Sequence, residues 1–150
     1  MAFRGTFDHA LDAKNRLTVP AKFRAALADG VVLAGSPEVI PGQPRCLAMW
    51  TADAYDTYTA SILSGLNPLS PRARELTRFF FNHSHDTELD SAGRVMIPPF
   101  LMTYARLGKD VVVTGSGECL EVWDRAAYSS YQDDVLARIP DIAASLGDTT

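Results

Sequence analysis

The chain is poor in most of the features that announce a function. Two cysteines and three histidines are too few for a disulfide framework or a zinc module. Its longest apolar stretches, such as Val31 to Gly35 and Val111 to Val113, fall far short of the roughly 20 residues a membrane-spanning helix requires. The N-terminal run Met1-Ala-Phe-Arg-Gly-Thr-Phe-Asp8 lacks an apolar segment and a small-residue cleavage site, so a cytoplasmic protein is expected. Positive charge is not in excess either. With 14 Lys and Arg against 18 Asp and Glu, the net charge is −4, which argues against a basic-coated protein that grips nucleic acid indiscriminately. Gly-x-Ser-x-Gly, phosphate-binding Gly-rich and His-Glu-x-x-His signatures are missing. His83-Ser-His85-Asp86 with Asp90 superficially resembles a metal-hydrolase cluster, but only His9 remains as a further imidazole, short of the ligands a catalytic metal uses. No enzyme, cofactor, metal or small-molecule ligand is therefore expected.

What the chain does have is a repeat. Asp12-Ala-Lys-Asn-Arg16-Leu-Thr-Val-Pro20 returns as Asp90-Ser-Ala-Gly-Arg94-Val-Met-Ile-Pro98, at a spacing of 78 residues that Phe3/Phe81, Asp8/Asp86 and Leu11/Leu89 keep. Val31-Val-Leu-Ala-Gly-Ser36 answers Val111-Val-Val-Thr-Gly-Ser116. Cys46-Leu-x-x-Trp50 with Tyr55 and Tyr58 answers Cys119-Leu-x-x-Trp123 with Tyr128 and Tyr131. The spacing falls from 80 to 73 across Pro37 to Arg45, which reads as a surface loop inserted in the first copy.

Each copy reads hairpin, helix, hairpin, helix. Thr6 to Asp12 predicts a strand entering a tight turn at Ala13-Lys14-Asn15, where Asn tolerates the left-handed conformation and Gly93 fills the matching place. Arg16 to Val19 then predicts a return strand and a hairpin. Pro20 opens and Gly30 closes a predicted helix with Phe23, Ala26 and Leu27 on one face; Pro99, Gly108 and the stripe Leu101, Tyr104, Ala105 repeat it. Thr51 and Asp124 suit N-caps of helices on which the tyrosine pairs share a face, and Ser70-Pro71 suits the start of a connecting helix over Arg72 to Phe80. Repeat one spans about residues 3–63, the connecting helix about 71–81, repeat two about 81–136 and a tail about 137–150. An isolated hairpin with one short helix cannot bury its apolar side, so the copies are expected to interleave into one small barrel in a single domain. Trp50, Trp123 and the tyrosines belong to a core or interface rather than to base stacking. Of Phe79, Phe80 and Phe81, at least one cannot reach a single chain's core, an excess that favours an oligomer. The matching cysteines are expected as buried thiols in a reducing compartment, with a disulfide left open.

Phe3-Arg-Gly5, Leu11 to Arg24, Arg78-Phe-Phe-Phe81, Glu88-Leu-Asp90, Gly93-Arg94 and Glu121-Val-Trp-Asp124 resemble the MraZ family over about residues 3 to 136. The resemblance implies mainly β structure with helices, a double-split or swapped-hairpin β-barrel from two tandem AbrB-like repeats. It implies a nucleoid-associated transcriptional regulator that binds double-stranded DNA as a ring-shaped homo-oligomer, on short direct repeats upstream of the division and cell-wall gene cluster. The motif carries over as Asp12, Lys14, Asn15 and Arg16 in the first copy and Asp90, Gly93 and Arg94 in the second. Ala92, Phe100 and Met102 stand where the first copy has Lys14, Lys22 and Arg24, so the second copy is poorer in positive charge.

The motif residues admit two readings. Arg16 and Arg94, near the turn tips, suit a phosphate or the O6/N7 edge of guanine, with Lys14 and Asn15 beside them, Lys14 on phosphate; Arg4 is a further candidate. Alternatively, Asp12/Arg16 and Asp90/Arg94 are internal ion pairs that fasten the turns. Residues 1–30 hold Arg4, Lys14, Arg16, Lys22 and Arg24 against Asp8, Asp12 and Asp29, whereas eight carboxylates crowd residues 110–150. That asymmetry presents one basic face to an anionic partner. Arg72, Arg74 and Arg78 fit a solvated helix face or a subunit contact. The alternative function is an antitoxin-like protein-binding module, in which the acidic segment Asp133 to Thr150 wraps a partner; against it, Val135, Leu136 and Ile139 look like the end of a packed helix.

Overall fold

The structure is a computed structural model that describes residues 2–148. In chain order these form β1 (Thr6–Ala10), β2 (Arg16–Thr18), a 3-10 turn (Ala21–Phe23), β3 (Val31–Gly35), β4 (Leu47–Trp50), α1 (Ala52–Leu63) and α2 (Pro71–Asn82). The second half follows with β5 (Ser84–Thr87), β6 (Arg94–Met96), α3 (Pro99–Ala105), β7 (Asp110–Gly115), β8 (Leu120–Asp124) and α4 (Arg125–Asp148). The fold class is α+β. Six strands make an antiparallel sheet in the order β1-β7-β8-β4-β3-β5, and β2 with β6 makes a separate two-stranded ribbon.

The copies interleave, as an isolated half would have to. β1 pairs with β7 and β5 with β3, each across the repeat boundary and in matching register: Thr6 faces Thr114 as Ser84 faces Ala34. The pairs β2·β6 and β4·β8 join equivalent strands, so the approximate two-fold axis runs through the rungs Leu17–Val95 and Ala48–Glu121. The expected first hairpin of each repeat is therefore not formed. The chain does reverse at Asp12–Arg16 and Asp90–Arg94, but β2 leaves β1 to pair with β6. That crossing sends Leu17 (0% exposed) and Val95 (1%) into one core, which a self-contained hairpin on the surface would not achieve.

Residues on the inner face of the sheet, Val31, Leu33, Leu47, Met49, Val111, Val113, Leu120 and Val122, pack with Leu17, Val95, Phe23 and Leu101 into the main core. Alternate residues of the same strands face outward and are covered by helices. Tyr58 stacks on Trp50 with ring centroids 4.7 Å apart, and Tyr128 and Tyr131 pack on Trp123 at 5.2 and 6.0 Å. Both tryptophans are buried, as the aromatic pattern requires. The capping residues act as read: Thr51 accepts from the Ala54 N–H, Ser70 from Ala73 and Asp124 from Ala127. Tyr55 ties α1 to α2 through a 2.8 Å bond from its hydroxyl to the Phe80 carbonyl. Of the phenylalanine triplet, Phe80 is buried, Phe79 stacks on His83, and Phe81 is exposed. Cys46 and Cys119 are both buried free thiols.

Two helices differ from expectation. The predicted helix from Pro20 to Gly30 is instead a 3-10 turn followed by further i+3 turns: the Arg24 N–H reaches only Ala21, where its counterpart Met102 reaches four residues back to Pro98, and the Val19 carbonyl accepts from Arg24 Nε at 2.9 Å. Its counterpart α3 forms, and ends at Arg106 in the left-handed conformation (φ 51°), ahead of Gly108. Residues 137–148, expected as a tail, continue α4 through Pro140 to Asp148, while Thr149 and Thr150 lie outside the described residues. Leu136, Ile139, Ile142 and Leu146 are exposed along α4, a spacing that gathers them on one helical stripe. No helix among the described residues is long and apolar enough to cross a membrane.

Candidate nucleic-acid interface

The two Asp-x-x-x-Arg motifs build the same object twice. Asp12 Oδ1 accepts from the backbone N–H of Lys14 and of Arg16, both at 2.9 Å, while Oδ2 accepts from Arg16 Nε at 2.6 Å. Asp90 Oδ1 accepts from Ala92 and Arg94 N–H at 2.9 Å, and Oδ2 from Arg94 Nε at 2.9 Å. These bonds, the backbone N–H of Arg16 or Arg94 first, hold both carboxyls below the usual carboxylate range. The tip residue is left-handed each time, Asn15 at φ 57° and Gly93 at φ 76°. The internal ion pair is thus present in both copies. It uses only Nε of each guanidinium, and among the described residues the terminal nitrogens have no partner. An aspartate that holds Nε aims the remaining donors outward, so fastening the turn and contacting a partner do not compete.

The crossing of strands brings the motifs together. In the ribbon Arg16 faces Met96 and Arg94 faces Thr18, so the two arginines are diagonal neighbours about 7–8 Å apart at the strand. Leu17 and Val95 point inward between them, leaving Arg16, Thr18, Arg94 and Met96 on the outer face. Cross-repeat bonds of 2.9 Å from Val19 N–H to the Gly93 carbonyl and from Ile97 N–H to the Asn15 carbonyl fix the turns to the ribbon. Lys14 sits exposed at the first tip. Arg4 is not brought to this face: it lies before β1, at the opposite end of that strand from the Asp12 turn.

Two members of the cluster, Arg24 and Lys109, do not emerge from comparing the halves in sequence. Arg24 belongs to the first repeat, yet its guanidinium lies against Gly93 of the second, so closely that a Cβ there would overlap it. Its bond to the Val19 carbonyl holds it in place. The second turn, which has Ala92 in place of a lysine, thereby gains a cation from the first repeat. Exposed Lys109 borders the first turn through the groove it lines with Asp12 and Asn15. Nothing in the linear pattern places Arg24 there; only the interleaving does. The ribbon end thus gathers Lys14, Arg16, Arg24, Arg94 and Lys109 around two carboxylates, each already bonded to an arginine. A two-stranded ribbon is an element that the DNA major groove can admit.

A family profile described as "MraZ protein, putative antitoxin-like" matches residues 2–79 and again 80–145. The chain is 34% identical to the transcriptional regulator MraZ of Mesoplasma florum over 146 residues, covering 97% of this chain and 96% of that protein. It is 36% identical to that of Lactiplantibacillus plantarum, covering 97% and 99%, and 41% identical to that of Salinispora arenicola, covering 86% of each.

Proposed function

The chain belongs to the MraZ family, and from that premise we propose that it is a sequence-specific DNA-binding transcriptional regulator that reads DNA with the β2–β6 ribbon. The convergence of Arg16 and Arg94 on one outward face carries the reading. Asp12 and Asp90 orient the guanidiniums; their terminal nitrogens engage guanine edges or phosphates, while Lys14, Asn15 and Arg24 hold the flanking backbone. In this reading the ribbon closes the gap between the edge strands β1 and β5, which gives the swapped-hairpin barrel of AbrB-like proteins. Arg4, remote from the ribbon, is left for a neighbouring DNA segment.

One copy offers few cations on a chain of net charge −4, and affinity for DNA grows with the phosphates neutralised. Tight binding therefore requires several linked copies on successive short repeats, each adding by effective concentration. The exposed apolar stripe of α4 and exposed Phe81 supply surface for such a homo-oligomer, which we take to be a closed ring acting upstream of the division and cell-wall cluster in the nucleoid. The same stripe favours a second reading, capture of a partner protein in the manner of an antitoxin. The purified chain's mass separates the two, since self-assembly gives multiples of 16.3 kDa.

The direct test is fluorescence anisotropy on the protein's own upstream DNA over a range of salt. Arg16→Ala and Arg94→Ala should each cost about 1–3 kcal/mol where a base is read, or lower the salt slope by about 1 for each phosphate no longer neutralised. Equal affinity for a scrambled duplex, or a folded, assembled double variant with unchanged affinity, overturns the reading.

A further inference from the structure

Glu121 lies far from the ribbon, on the outward face of β8, opposite Ala48 on the approximate two-fold axis. Its carboxylate accepts a 3.7 Å bond from the Cys46 thiol, and among the described residues it has no ion pair. Burial pushes it above the usual glutamate range. It lines two adjoining cavities of about 200 and 540 Å³, which also share Ser36, Pro37, Tyr58 and Ser116. Neither is lined by a lysine, arginine or histidine. Aromatic rings wall both: Trp50, stacked on Tyr58, in the smaller, and Trp123 with Tyr128 and Tyr131 in the larger. Glu118 adds a second carboxylate at the smaller cavity. A carboxylate without a counter-ion inside an aromatic cleft is complementary to positive charge, because the ring faces and the acid attract the same ligand. A bare metal ion is the poorer match, since among the described residues no three metal-ligating side chains converge.

We propose that this cleft binds an organic cation, a primary ammonium or guanidinium on a short carbon body, with Glu121 as its counter-ion and Trp50 and Tyr58 as its walls. Ser36 and Ser116 hydroxyls border the same space and suit the remaining donors of such a group. Ala48 is the residue that leaves room for it. The cation is either a free metabolite or a side chain presented by a neighbouring copy; both have the same recognition chemistry.

The chain's two tryptophans both wall these cavities, so their fluorescence and indole N–H resonances report occupancy directly. Titration of the intact protein with n-butylammonium should give a saturable change that uncharged n-butanol does not. Glu121→Gln, which removes the charge but keeps the shape, and Ala48→Val, which fills the space and keeps the charge, should each weaken binding at least tenfold. Sedimentation during the titration identifies the source: an unchanged assembly means a free ligand, and dissociation means competition with a neighbouring copy's lysine or arginine. No saturable response to n-butylammonium, or equal binding by folded Glu121→Gln, overturns the proposal. The readout needs no DNA, so it stands or falls apart from the regulator reading.

Discussion

Gly93→Ala is the substitution that best separates the two demands on the second turn. At φ 76° an L-residue costs about 1–2 kcal/mol, and a Cβ there displaces the Arg24 guanidinium from its 2.9 Å bond to the Val19 carbonyl. A charge-assisted bond is worth about 1.5 kcal/mol at the lower end of its range, so the variant should lose about 3 kcal/mol. For a domain of this length that lowers Tm by roughly 6–12 °C. Arg24→Ala alone should lose about 1.5 kcal/mol by the same bond. The double variant should lose about 3 kcal/mol, not the sum of about 4.5, because the bond is broken only once; the coupling is then about 1.5 kcal/mol. Urea denaturation of all four proteins at pH 7, followed by tryptophan fluorescence, measures it. Additivity within about 0.5 kcal/mol would refute the claim that Gly93 is glycine partly to seat Arg24. Gly93→Asn is the control, since asparagine tolerates the conformation but not the overlap.

Acid should attack the two turns first. Asp12 and Asp90 are held low by the Arg16 and Arg94 N–H groups, so their stabilisation is present above about pH 4 and is lost as pH falls through the folded-state values; an Asp12→Asn/Asp90→Asn variant should show a flatter acid limb in pH-dependent urea melts. Glu121 has the opposite sign: burial raises it, so stability drops as pH rises from about 4.3 through its folded value, and Glu121→Gln should abolish that drop. Burial pushes the Cys119 thiol up to about 12 and Cys46 higher still; both should resist a thiol reagent at pH 8 until the protein unfolds. Tyr55→Phe removes the buried bond to the Phe80 carbonyl and should cost about 1–3 kcal/mol in a thermal or urea melt.

Local chemistry was readable in the sequence wherever neighbours in the chain decide the outcome. Thr51, Ser70 and Asp124 cap as their positions predict, Asn15 and Gly93 take the left-handed tips, and the tyrosines stack on the tryptophans at helical spacing. Strand partnership was not readable. A turn signal tells the chain to reverse but not which strand lies across from it, and here that choice is made by the core's need for Leu17 and Val95 together. Both copies carry a proline that signals a helix start, but only in the second does an N–H reach four residues back, Met102 to Pro98; its counterpart Arg24 bonds three back, to Ala21, a difference that no capping signal announces. Arg24's place in the basic cluster was hidden because Gly93, the residue its guanidinium lies against, belongs to the other repeat. The extent of α4 was hidden because Pro140, inside the helix, reads as a stop signal, and Leu136, Ile139 and Ile142 on either side of it are exposed.

The rung at the centre of the sheet bears on how such a chain can arise. Two separate copies of the first repeat could pair as this chain's halves do, alanine facing alanine where the axis passes. Two copies of the second could not do so cheaply, because Glu121 would meet its own twin in a half-buried site and one of the acids would have to take up a proton. Tandem fusion removes that prohibition. Once the halves are tied in one polypeptide they need not be identical, and the axis can carry a solitary acid that no symmetric dimer of the second repeat would tolerate. The covalent link between the repeats thus does more than save the entropy of bringing them together: it licenses an asymmetry at the one point where symmetry is strictest.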